Sequence, residues 1–161
     1  MKYLTKSEKQ TFNLGKKLAK QLKGGEVLAL TGELGAGKTV LIKGIAAGLG
    51  IKKIITSPTF VLMKVYQMGI RNQESGIKNL VHIDCYRIKN PQEITDIGAP
   101  EYFGRPDMIT VIEWAEKIKK ILPRQKIEIR IKLKNENTRF DSARRARFDS
   151  EARRAREIII K

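Results

Sequence analysis

Apolar residues recur at helical spacing near the start of the chain: Phe12, Leu14, Leu18, Ala19 and Leu22 share one side of a run beginning at Ser7. The Ser7 hydroxyl suits an N-cap before Glu8, and Gly24-Gly25 stops the helix. A short apolar run, Glu26 to Leu30, predicts a strand, and Val40 to Leu49 resumes helical character until Gly50. The order is strand, glycine-rich loop, helix.

Phe60 to Tyr66 and Leu80 to Asp84 predict two strands of a hairpin, joined by a polar loop carrying Gly69, Asn72, Ser75 and Gly76. Pro91 to Ile97 predicts a short helix. Met108 to Ile112 predicts another strand, closing at Glu113-Trp114, and Ala115 to Leu122 a helix that Pro123 halts. From Ile127 to Leu133 the alternation is strict, with four aliphatic side chains on one face and three charged ones on the other. That pattern predicts a half-exposed edge strand, with Glu157 to Lys161 returning beside it in a late hairpin.

The connection in that hairpin holds an internal repeat: Phe140 to Arg147 reads FDSARRAR, and Phe148 to Arg156 repeats it with Glu151 inserted. Two short copies are too few for a solenoid, so a local duplication in a surface loop at about 140–156 is expected. An RNA-contacting arginine arm is the sharper alternative.

A length of 161 residues suits one domain, and 41% hydrophobic with 31% charged residues is a globular composition. No apolar run reaches the length of a bilayer span, and MKYLTKSEKQ lacks a secretory stretch, so a cytosolic protein without a membrane partner is expected. Cys85 and His82 are the only residues of their types, which excludes an internal disulfide and a zinc cluster. The net charge of +16 favours polyanionic partners, RNA among them, although the lysines are scattered along the chain as a solubilising excess would be.

Gly32 to Thr39, GELGAGKT, matches the Walker A pattern and lies between a predicted strand and helix. Its glycines let backbone N–H groups turn inward as an anion nest, reinforced by the helix N-terminus. Leu34, Gly35, Ala36, Gly37, Lys38 and Thr39 form the expected ATP-binding set. Lys38 would reach the β and γ phosphates, an attraction of about 4 kcal/mol at close range in an intermediate dielectric, and Thr39 would offer its hydroxyl to Mg²⁺. The expected fold is α/β, a single P-loop NTPase-type domain over residues 1–161 with a mixed parallel and antiparallel sheet flanked by helices.

Such a loop needs acids at neighbouring strand ends, and Asp84 and Glu113 each close an apolar strand. Spacing alone leaves open which one meets the metal. Ser57-Pro58-Thr59-Phe60 stands where a switch loop would sense the γ phosphate, with Thr59 the sensor; an ordinary Ser-Pro turn is the other reading. Trp114 is a candidate cover of the site, a partner contact or a core residue. Tyr86 and Arg87 follow Asp84, and Arg87 suits either phosphate neutralisation or a structural role.

GELGAGKT, SPTF, HIDCYR and VIEWAE, in this order, resemble the TsaE family of bacterial P-loop proteins, from about Ser7 to about Leu133. The resemblance implies an ATPase, slow alone, that works with TsaB and TsaD in placing threonylcarbamoyl on a tRNA adenosine next to the anticodon. It implies that Thr39 and Glu113 hold Mg²⁺ and that Asp84 serves hydrolysis. It further implies that the protein drives the cycle of the enzyme that makes the bond. The repeat departs from the family pattern. Two alternatives stand beside this reading: a small nucleotide or nucleoside kinase, with the arginine repeat as its lid, and a basic RNA-binding module that responds to ATP. The absence of an Asn-Lys-x-Asp motif favours ATP over GTP.

Overall fold

The computed structural model describes residues 1–69, 76–134 and 155–161. One sheet carries all seven described strands: β1 Lys2–Thr5, β2 Val27–Gly32, β3 Met63–Gln67, β4 Asn79–Asp84, β5 Met108–Glu113, β6 Ile127–Lys134 and β7 Ala155–Ile160. Their spatial order is β1-β7-β6-β2-β5-β4-β3. The central strands β6, β2, β5 and β4 run parallel, while β7, β1 and β3 are antiparallel to their neighbours. This is the mixed sheet expected from the sequence, with the β3–β4 and β6–β7 antiparallel pairs both formed.

Period-two alternation divides β2, β4 and β5 between two cores, while β6 gives one face to the first core and the other to solvent. Leu28, Leu30, Leu80, Ile109, Val111, Ile129 and Ile131 face helices α1 (Glu8–Ala19) and α2 (Lys38–Gly48) in one cluster. Val27, Ala29, Val81, Ile83 and Ile112 face the opposite side, under α3 (Gln92–Asp96) and two 3₁₀ turns, Ala99–Tyr102 and Ala115–Ile118. Each fully buried Leu or Ile contributes roughly 1.5–3 kcal/mol relative to exposure. The first cluster anchors the helix that follows the glycine loop.

The α1 N-terminus is capped as its sequence predicts, with Ser7 Oγ accepting the Gln10 N–H at 3.2 Å. Helices α1 and α2 touch backbone to backbone. A Cβ at Gly15 would lie 2.3 Å from the Leu41 carbonyl oxygen, and one at Gly44 2.1 Å from that of Phe12. Only glycine permits that approach.

Several sequence expectations are corrected. The strand expected from Phe60 begins at Met63, because the Val61 N–H bonds the Pro58 carbonyl in a turn and Leu62 has φ 61°. The helix expected over Ala115 to Leu122 is a 3₁₀ turn ending at Ile118, entered through Trp114 in a left-handed conformation. Strand β6 is not an edge: β2 pairs it on one side and β7 on the other. Its charged face, Glu128, Arg130 and Lys132, is nonetheless exposed, so the alternation reported face exposure and not edge position. Strand β1 carries no clear sequence signal and is fixed by the distant β7. The expected loop at 140–156 ends earlier, since Ala155 and Arg156 belong to β7; its remainder, like Asn72 and Ser75 of the β3–β4 loop, lies outside the described residues. Among the described residues no helix is long and apolar enough to cross a membrane.

Candidate functional site

Strand β2 delivers the chain into the loop at the carboxyl edge of the sheet, where β4 and β5 also end. The parallel register sets Asp84 opposite Glu113, and Glu113 opposite Leu30 at the end of β2. Both acids belong to the face that packs on α2, by the same alternation that points Leu80 and Val111 there. They are 3% exposed, against the usual preference of carboxylates for water, and each is held by hydroxyl donors.

Thr39, in the first turn of α2, donates to Glu113 through Oγ1, 2.9 Å from Oε1 and 3.0 Å from Oε2. His82 Nε2 lies 2.9 Å from the same Oε1. Asp84 Oδ2 accepts the Thr59 hydroxyl at 2.6 Å and the Ser57 hydroxyl, while Oδ1 accepts the Tyr86 N–H at 2.9 Å. The Ser-Pro-Thr turn is therefore clasped directly to the strand-end aspartate.

Lys38 points back into its own loop, donating to the carbonyl oxygens of Gly32 at 2.7 Å and Glu33 at 2.8 Å, with its ammonium 3.7 Å from the Trp114 ring centroid. Burial lowers its pKa below the ordinary lysine value, and the charges of Glu113, Glu116 and Asp84 act against that shift. Trp114 reaches this position because its backbone turns into the left-handed region at φ 58° directly after β5. That conformation costs a bulky residue roughly 1–3 kcal/mol. Cys85, buried beside Asp84, has its thiol pushed up to about 12 by burial first and the aspartate second, which makes it unreactive as a nucleophile.

A cavity of about 350 Å³ gathers Leu34, Gly35, Ala36, Gly37, Lys38, Thr39, Ser57, Thr59, Asp84, Tyr86, Glu113 and Trp114, so the loop residues Leu34 to Thr39, both strand-end acids, Thr59 and Trp114 line one space. Larger hollows, about 640 Å³ beside β1 and about 600 Å³ over β2 and β6, lack both strand-end acids and are not the better candidates. Arg87 is not among the lining residues; its guanidinium stacks 4.2 Å from the ring of exposed Phe60, a structural contact at the turn.

Three participants escaped the sequence reading. Glu8, at the start of α1, lines the cavity. Arg156 enters from β7, close enough that a Cβ on Gly37 would stand 3.1 Å from its Nε. His82 contacts Glu113 across two strands. Only His82 had a readable signal: it stands two positions before Asp84, on the same strand face.

The site fits Mg²⁺ by the chemistry of its donors. A hydroxyl and a carboxylate, both hard oxygens, already meet at hydrogen-bond distance beside the glycine loop.

A family model described as threonylcarbamoyl adenosine biosynthesis protein TsaE matches residues 5–144. A tRNA threonylcarbamoyladenosine biosynthesis protein TsaE from Bacillus subtilis is 38% identical over 139 residues, covering 86% of this chain and 82% of that protein. Its namesake from Treponema pallidum is 37% identical over 134 residues, 83% of this chain and 92% of that protein. The crystal structure of Bacillus subtilis YdiB superposes with a TM-score of 0.68 at 34% identity, covering 98% of this chain and 82% of that one. The fold is of the P-loop NTPase type.

Proposed function

Since this chain belongs to the TsaE family, proteins of tRNA threonylcarbamoyladenosine biosynthesis, we propose that it binds and slowly hydrolyses ATP with Mg²⁺ in that process. The observation that carries the proposal is the convergence of Thr39, Glu113 and Asp84 on the cavity mouth of the glycine loop.

The N–H groups of Leu34 to Thr39 and the N-terminus of α2 would receive the phosphates. Lys38 would exchange its carbonyl partners for phosphate oxygens, adding a fixed positive charge. Thr39 and Glu113 would hold Mg²⁺, which when bound neutralises charge on the phosphate oxygens. Asp84 would orient a water and accept its proton as the new bond to the γ phosphorus forms and the bridging bond to the β phosphate breaks, releasing ADP. Thr59 and Ser57, both hydrogen-bonded to Asp84, tie that step to the conformation of their turn. We assign the hydrolytic cycle to docking with TsaB and TsaD in the cytosol, with exposed Phe60 and Val61 beside the same turn among the surfaces free for a partner.

Calorimetric titration with ATP, with and without Mg²⁺, tests the nucleotide reading. Saturable binding that Mg²⁺ strengthens and Lys38→Ala removes is the expected result. No saturable binding to the wild-type chain contradicts it.

A further inference from the structure

His82 is the sole histidine of the chain, and its side chain is fully buried within β4 among aliphatic neighbours. A buried imidazole must be repaid by hydrogen bonds, because each polar nitrogen taken from water without a partner costs free energy. Here one nitrogen is repaid and the other is not. Nε2 lies 2.9 Å from Glu113 Oε1, whereas Nδ1, equally buried, has no hydrogen-bond partner among the described residues. An ionised carboxylate offers only acceptors, so the contact requires a ring proton on Nε2. An imidazole selected to stabilise the core would satisfy both nitrogens, and an aliphatic residue would fill the space without the penalty. What this ring provides is a single bond to one carboxylate.

That carboxylate is the one that Thr39 also meets, through the same oxygen. Two donors from different elements, the imidazole of β4 and the hydroxyl of α2, thus fix the carboxylate plane of Glu113. Glutamate has freely rotating side-chain bonds and loses much rotamer entropy when held. The charge of Glu113 also acts on Lys38, the cation of the same cavity. We infer that His82 is a positioning residue for Glu113, holding its carboxylate toward Thr39 so that the pair is pre-set for the Mg²⁺ that accompanies ATP. The inference rests on the nucleotide reading above and adds to it a residue that touches neither nucleotide nor metal. Partners of this kind orient the ligands they bond, and their loss weakens metal binding by about 10–100-fold.

Two substitutions of similar size separate the hydrogen bond from the packing. His82→Gln places an amide N–H near the position of Nε2, and His82→Leu fills the space without a donor. ATP binding is measured by calorimetry at rising Mg²⁺ and in EDTA, with folding checked by thermal melting. The Mg²⁺ concentration for half-maximal strengthening should rise about tenfold or more in His82→Leu and stay within about threefold of wild type in His82→Gln. Affinity in EDTA should be unchanged in both. Wild-type binding that ignores Mg²⁺ overturns the nucleotide reading and this inference together. A normal wild-type response retained by folded His82→Leu, or a His82→Gln variant no better than His82→Leu, overturns the positioning role alone. Should His82→Leu not fold, ¹⁵N NMR of the wild-type ring decides, since the lone histidine gives unambiguous signals. The Nε2–H tautomer, with signals that move on adding Mg²⁺ and ADP, supports the role; the Nδ1–H tautomer overturns it.

Discussion

Lys38 and Trp114 form a cation–π pair, the ammonium 3.7 Å from the ring centroid, at the mouth of the glycine loop. The lysine is simultaneously tied to two carbonyls of the loop that leads to it. Its charge is thereby partly satisfied by the protein, and arriving phosphates must outcompete two neutral acceptors and an aromatic face. In the proposed function an ion pair with phosphate, stronger than each of those contacts in a partly buried site, would drive the exchange. The strained backbone of Trp114 places the ring where that exchange would be felt.

Trp114 is the only tryptophan, so its emission reports on the loop alone. ATP should change the intensity or wavelength of that emission saturably, with a midpoint equal to the calorimetric Kd. Lys38→Met should abolish both the signal and most of the affinity. A saturable signal in Lys38→Met with unaltered midpoint would show that the lysine is not the phosphate anchor.

Asp84 is proposed to act on water in the transition state, not on bound nucleotide. Asp84→Asn keeps the side chain's shape, its remaining oxygen accepting the Tyr86 N–H and its amide N–H groups facing the Ser57 and Thr59 hydroxyl oxygens, but removes the base. Turnover should fall by about 10²–10⁴-fold with ATP affinity within about threefold of wild type. Equal losses in affinity and turnover, measured by calorimetry and phosphate release, would place Asp84 in binding instead.

The backbone contact of α1 with α2 makes Gly15 sensitive to the smallest addition. Gly15→Ala sets a methyl 2.3 Å from the Leu41 carbonyl oxygen, and backbone on both sides must move. Overpacking of this kind costs about 1–3 kcal/mol, which for a chain of this length lowers Tm by roughly 2–12 °C. A Tm equal to wild type by calorimetric melting would refute the close approach.

Glu157 on β7 takes hydrogen bonds from Lys2 of β1 and Lys134 of β6, at 2.8 and 3.1 Å, and these hold its pKa below the ordinary carboxylate value. A depressed carboxylate stabilises the fold above its unfolded value of about 4.3, and that stabilisation disappears as pH falls through the lower folded value. The Tm of wild type should therefore exceed that of Glu157→Gln at pH 7 and approach it below about pH 4, with a smaller gap in high salt. A gap that widens on acidification would contradict the pairing.

What the sequence disclosed was local. The glycine loop announces itself because its glycines, Lys38 and Thr39 must be contiguous, and the acids because an apolar strand ending in Asp84 or Glu113 is visible in a few residues. Strand order is not local: the return of Glu157 to Lys161 beside this strand was legible, but nothing between Ile127 and Leu133 states that β2 will pair with its other side, and so an interior strand with one solvated face resembles an edge. The same limit hid β1, whose four residues acquire their conformation from β7 at the other end of the chain. His82 and Arg156 were missed for a related reason, since each owes its place to a neighbour more than thirty positions away. Trp114 was visible as a candidate, but the left-handed turn that swings it over Lys38 follows no pattern in the residues around it.

The most direct test of the central claim is ATP hydrolysis by the purified protein with Mg²⁺, alone and then with TsaB and TsaD together. Slow turnover alone, raised severalfold or more by the pair and lost in Asp84→Asn, is the predicted result. Turnover that is unchanged by the two proteins would contradict the assignment of this site to a partner-driven step of tRNA modification.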